Sequence, residues 1–164
     1  MILYHGSNVK VDMPRLLGQT RGLDFGAGFY LTSKKEQAVS FSKSVCRRAK
    51  SGIPFVSVYE FDESVAEQEL EILRFTQADE DWLDFVKQNR LKSYNKKQYD
   101  IIIGPVADDA VLPTIQAFII GQFTADAALA ALKTSRLFDQ YCLATDKAIA
   151  LLKFVECFTP QEVE

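Results

Sequence analysis

His5 is the only histidine in a chain of 164 residues, and a glycine, Gly6, follows it at once. An imidazole beside a residue with no side chain puts a hydrogen-bonding ring next to backbone that a ligand can approach closely. A second stretch, Asp24-Phe25-Gly26-Ala27-Gly28-Phe29-Tyr30-Leu31-Thr32, repeats the pattern with the Tyr30 ring in place of the imidazole. Two such stretches facing one ligand suit a nucleotide-like molecule, with flat rings to stack and hydroxyls to bond.

Other chemistries find less support. The chain has no Gly-x-Ser-x-Gly elbow and no recognisable Cys–His frame, which argues against a hydrolase triad. A single histidine among scattered carboxylates gives no metal-ligand spacing. Gly26-Ala27-Gly28 is too short for a dinucleotide fingerprint, and no phosphate-cradling loop occurs. Asp108 and Asp109 leave three readings open: general base, substrate-orienting group or helix N-cap. Arg15 and Arg21 either meet a pyrophosphate or are solvated loop charges.

The elements that must position these residues follow from periodicity. Ile2 to His5 reads as a short strand, followed by a long connection from Gly6 to Gly26 with a turn of helix at Arg15 to Leu17. Phe29 to Thr32 reads as a second strand. Ser33 then caps an amphipathic helix whose inner stripe is Ala38, Phe41, Val45 and Ala49. Phe55 to Phe61 alternates as a strand. Leu70 to Phe75 is open between strand and helix. Thr76 and Asp79 have capping-box spacing and open a helix carrying Trp82, Phe85, Val86 and Asn89. Tyr99 to Gly104 is the most apolar strand and the central one. Pro105 to Asp109 is a turn, and two helices follow at Val111 to Ile120 and Ala125 to Lys133. A strand at Asp139 to Ala144, a short helix capped by Thr145 and a strand at Leu152 to Phe158 complete the chain. Strands and helices mixed without regular alternation predict an α+β fold in a single domain spanning 1–164.

Composition bounds the rest. A formal charge of −3 argues against a wholly basic surface built for nucleic acid or anionic membrane. Cys46, Cys142 and Cys157 are odd in number and without metal spacing, so they read as reduced, buried thiols. The chain begins without an apolar leader and holds no run of membrane-spanning length, which predicts a cytoplasmic protein with no membrane partner.

Leu3-Tyr4-His5-Gly6-Ser7 followed by Phe25-Gly26-Ala27-Gly28-Phe29-Tyr30-Leu31 resembles the core of the ADP-ribosyltransferase superfamily. The likeness is to the poly(ADP-ribose) polymerase side, the diphtheria-toxin-type group with a His-Tyr-Glu triad. Those enzymes carry Leu-Trp-His-Gly-Ser, then Phe-Gly-x-Gly-Ile-Tyr-Phe, then a helix, and both motifs recur here in that order. The chain also resembles a family of small bacterial proteins that add a segment like Tyr99-Asp100-Ile101-Ile102-Ile103-Gly104-Pro105-Val106-Ala107-Asp108-Asp109. The resemblance implies a split, mainly antiparallel sheet and an NAD-dependent mono-ADP-ribosyltransferase. It implies a macromolecular acceptor and a toxin or defence setting with a small antitoxin partner; the acidic charge balance favours protein over nucleic acid as that acceptor.

Site roles carried over by the resemblance are specific. His5 would bond a ribose hydroxyl of NAD, Gly6 would clamp the nicotinamide carboxamide through its backbone with Ser7 beside it, and Tyr30 would pack on the nicotinamide ring. The serine that also holds the carboxamide in those enzymes falls at Ala38, with Ser40 as a candidate substitute. Their second stacking tyrosine falls at Phe41. The catalytic glutamate falls at Gln140, which can bond the ribose but brings no charge to a developing cation. Asp139, its neighbour, would point to the other face of the strand. Without the acid, a non-catalytic NAD- or ADP-ribose-binding module and an interaction protein stand as alternatives to the enzyme.

Overall fold

The computed structural model describes residues 1–18, 22–106, 111–133 and 137–160. Among them are seven strands and six helices. In chain order these are β1 (Ile2–Ser7), β2 (Phe29–Leu31), α1 (Lys35–Ala49), β3 (Phe55–Phe61), α2 (Glu63–Glu69), β4 (Ile72–Arg74), α3 (Glu80–Arg90), β5 (Ile101–Val106), α4 (Leu112–Ile119), α5 (Ala125–Leu132), β6 (Phe138–Leu143), α6 (Asp146–Ile149) and β7 (Leu152–Phe158). The fold is α+β. One sheet runs β1-β3-β7 and is antiparallel; the other runs β2-β6-β5-β4 and is mixed, its one parallel pair being β4 with β5. No helix among the described residues is long and apolar enough to cross a membrane.

Among the described residues one backbone bridge joins the two sheets. Tyr4 N donates to Thr32 O at 2.8 Å, and Thr32 N returns a bond to Tyr4 O at 3.0 Å. Past that pair the strands part, because β1 continues along β3 while β2 continues along β6. Strand alternation sends side chains to two cores. Leu3, Phe29, Leu31, Tyr59 and Leu143 fill one; Phe25, Trp82, Phe85, Ile115 and Cys142 fill the other. Tyr30 lies between Phe29 and Leu31 and packs on the second core. Trp82 is fully buried and its indole N–H finds the Pro105 carbonyl at 3.0 Å, so its large ring is buried with its polar atom satisfied.

Several expectations change. β1 does not end at His5 but runs on through Gly6 and Ser7, because both still pair with β3. Residues 15–17 carry no helical turn. The N-cap of α1 is Lys34, without a side-chain capping bond, and not Ser33. The buried face of α1 is Ala38, Ser42 and Ser44, while Phe41 and Ala49 are exposed. Small residues win there because β1 approaches the helix at backbone contact distance. Asp79, accepting from Trp82 N, caps α3, and Thr76 does not. The open segment, Leu70 to Phe75, forms strand β4, and α2, capped by Asp62, precedes it. β5 lies inside its sheet as expected but extends through Pro105 and Val106. All three cysteines are free, yet only Cys142 is fully buried.

Candidate functional site

β1 sets the geometry. In an antiparallel strand the amide and carbonyl of every second residue face the same edge. Tyr4 gives both groups to Thr32, so Gly6, two residues on, turns its amide and carbonyl to that same edge, where β2 has already departed. Neither group has a backbone partner among the described residues. A Cβ at Gly6 would overlap the Ala38 carbonyl oxygen and stand 2.9 Å from Ser42 N. Only glycine lets β1 lie this close to α1.

His5 stands beside this open edge. Its Nδ1 is 2.7 Å from Tyr30 O. A carbonyl only accepts, so Nδ1 carries the proton and Nε2 is left as an acceptor in the neutral ring. The imidazole stacks on Phe29, with centroids 4.4 Å apart and planes 28° apart. Burial holds His5 below the ordinary histidine value, outweighing the carbonyl bond that pulls it upward. The ring therefore stays neutral, able to accept from a hydroxyl.

Tyr30 uses its phenol internally. The hydroxyl donates to Gly26 O at 2.6 Å and accepts from Phe25 N at 3.2 Å, tying the glycine turn to the strand it feeds. Burial, first, and then the neighbouring Cys142 raise the phenol well above its usual value. Gly26 has φ of 82°, a left-handed conformation suited to glycine. Cys142 lies opposite Tyr30 in the β2–β6 register, its thiol 3.9 Å from Ala27 O and 4.0 Å from Phe25 O. Burial pushes that thiol up to about 12, which makes it a packing group and a weak donor.

Gln140 follows from the same alternation. It lies on the face of β6 shared with Cys142, and hence with Tyr30, and pairs with Gly104 of β5. Its Nε2 is buried and has no hydrogen-bond partner among the described residues. A buried donor left unpaired is costly and marks a place where a ligand acceptor would be welcome. Asp139 goes elsewhere: its carboxylate accepts from Thr32 Oγ1 at 2.8 Å and Ser33 N at 3.1 Å, closing the β2–α1 junction.

Residues 1–154 match the model of a family described as a protein of unknown function, DUF3990. The chain belongs to the DUF3990 family. No curated protein and no solved structure matches it.

The remaining expected residues of this DUF3990 protein are distributed as follows. Phe41 is 46% exposed on α1, with the Arg48 guanidinium 5.4 Å from its ring centroid. Ala38 is buried against Gly6, and Ser40 is exposed on the opposite side. Ser7 ends β1, half-buried and paired with Phe55. Arg15 is exposed and makes no ion pair among the described residues. Arg21, Asp108 and Asp109 lie outside the described residues.

Three supporting groups escape a sequence reading. Phe29 supplies the ring under His5. Cys142 backs the glycine turn. Asp24, 5% exposed, takes Nε and a terminal nitrogen of Arg90, each at 2.6 Å, so α3 anchors the start of the turn. Only Asp24 left a sequence signal, as an acid opening the Phe25-Gly26 motif. A cavity of about 510 Å³ lies apart, between the 75–78 segment, α5 and the ends of β5 and β6. Gly104 and Asp139 reach its wall; His5, Gly6 and Tyr30 do not.

Proposed function

We propose that this DUF3990 protein is an NAD-dependent mono-ADP-ribosyltransferase built on the split-sheet fold of that superfamily. The observation that carries the reading is the edge at Gly6: an amide and a carbonyl side by side, without a backbone partner among the described residues, next to a histidine whose Nε2 is an acceptor. A primary carboxamide needs one acceptor and one donor at that spacing, and a ribose hydroxyl needs an acceptor beyond them. Tyr30 and Phe41 supply rings for the pyridinium, and the Gln140 amide supplies a donor to the ribose.

The reaction asks little acid–base help of the protein. Breaking the bond between ribose C1′ and the nicotinamide nitrogen returns the electron pair to that nitrogen, which neutralises the pyridinium. An acceptor nucleophile then bonds to C1′ and releases its proton. Holding NAD in a dissociation-prone pose lowers the barrier by orientation. Gln140 brings no charge to the oxocarbenium-like carbon, which favours single transfers over chain growth. That same neutral residue favours the second reading, a module that binds NAD or ADP-ribose without turnover.

NAD labelled separately on nicotinamide and on adenine distinguishes the readings. Nicotinamide release with adenine label on a macromolecule supports the transferase. Saturable binding without release supports the module. If neither is seen, the protein has no NAD site.

A further inference from the structure

Residues 34–50 carry six cations, Lys34, Lys35, Lys43, Arg47, Arg48 and Lys50, against the single carboxylate of Glu36. That segment has a net charge of +5 in a chain of −3, so the rest of the protein carries −8. Among the described residues none of Lys34, Lys35, Lys43, Arg47 and Lys50 forms an ion pair. Lys43, Arg47 and Lys50 follow one another at helical spacing on a stripe turned away from Ala38 and Ser42, the residues that meet β1. Lys34 and Lys35 sit at the N-terminal end of α1, where the helix dipole favours anions over cations. The Lys35 ammonium lies over the Phe158 ring, 4.5 Å from its centroid, whereas helix stability does not account for Lys34.

We propose that the outer face of α1 binds a phosphodiester chain and that single-stranded nucleic acid is the acceptor. This rests on the transferase reading and names its substrate class. Two observations favour nucleic acid over an acidic protein. Lysine is depleted from protein–protein interfaces, and this face is lysine-rich. The exposed Phe41 on the same helix, with Arg48 over its ring, forms a cation–aromatic stack that suits a base and is not needed to bind a run of carboxylates. Position agrees, since the inner side of the same helix is the wall behind Gly6. The stripe and the edge lie on opposite sides of α1, so a strand bound along the stripe crosses the helix to present its acceptor at ribose C1′.

The test compares wild type with a Lys43→Gln/Arg47→Gln/Lys50→Gln variant, confirmed as folded by circular dichroism. Fluorescein-labelled single-stranded RNA and DNA of about 20 nucleotides are titrated between roughly 50 and 200 mM salt, with polyglutamate as the acidic-protein control. The wild type should bind oligonucleotide with a steep salt dependence. The variant should bind at least about tenfold more weakly, with the salt slope lowered by about 1 for each phosphate-contacting cation removed. Nicotinamide release should be unchanged in the variant, while adenine label reaches the oligonucleotide only with wild type. Equal binding by both proteins, no binding by either, or polyglutamate binding with the same loss in the variant would each overturn the proposal. Absence of nicotinamide release from the wild type would defeat the transferase reading and the acceptor role, and the titrations would still decide the binding surface.

Discussion

His5 Nδ1 donates a 2.7 Å hydrogen bond to the main-chain carbonyl of Tyr30, and this bond joins the first motif to the second. It fixes the tautomer of a ring that burial keeps neutral. Below the ordinary histidine value of 6.5 the unfolded chain takes up a proton that the folded chain resists. Stability should be complete above that pH and fall as the pH drops below it. Thermal midpoints of wild type and His5→Gln from about pH 8 to about pH 5 check the sign. The wild type should lose more on acidification, and parallel curves would mean that His5 is not held neutral by the fold.

Tyr30→Phe keeps the ring and removes both bonds of the hydroxyl. Stability should fall by about 1–3 kcal/mol, because the Gly26 carbonyl and Phe25 amide lose their partner. The turn should loosen, so KM for NAD rises more than kcat falls. Urea titration and nicotinamide release measure the two effects. A stable variant with unaltered KM would show that the hydroxyl does not shape the site.

Most strand positions and the order of the two motifs are legible in the sequence, since alternation in Phe55 to Phe61 and Leu152 to Phe158 leaves no competing period. The inner face of α1 is not legible. Periodicity selects Phe41 and Ala49 for the core, yet the helix turns Ala38, Ser42 and Ser44 inward. A local pattern cannot show that a glycine on β1 will bring backbone against backbone. Caps fail for a similar reason: Thr76 and Asp79 both satisfy the spacing rule, and only the helix start decides that Asp79 serves. Within the site, His5, Gly6 and Tyr30 could be read from types and spacing. Phe29, Cys142 and Arg90 could not, because their roles come from strand pairing and from a helix 66 positions away from Asp24.

Gly6→Ala tests the contact that periodicity hides. The new Cβ would collide with the carbonyl of Ala38 and crowd Ser42 N, both helix backbone that cannot rotate aside. The expected cost is about 3 kcal/mol, at the upper end of ordinary overpacking. NAD binding should fall further than stability explains, since β1 must move its open edge. Denaturant midpoints with NAD titration of the folded fraction separate the two.

Arg90→Met probes the anchor of the turn from the far side. Removing the guanidinium takes a charge-assisted contact from a buried carboxylate, which should cost about 3 kcal/mol. Adding Asp24→Asn to that variant should recover part of the loss, because a buried charge disappears. A double-mutant cycle by thermal denaturation that shows no coupling would rule out the anchor.

Gln140 separates ligand binding from stability more sharply than any other position. Its Nε2 is buried without a partner among the described residues, so the amide costs the apo fold something that a ligand acceptor would return. Gln140→Leu should therefore raise stability, by about 1 kcal/mol, while weakening NAD or ADP-ribose binding. Gln140→Glu should behave differently. Burial will lift the new carboxyl above the usual range, so it ionises only as the pH rises, and only the ionised form can steady a developing cation. Nicotinamide release by Gln140→Glu should exceed wild type and increase with pH between about 5 and 8, whereas the wild type, with no carboxyl at that position, should show no such rise. A pH profile for Gln140→Glu that tracks the wild type would place residue 140 outside reach of the reacting ribose.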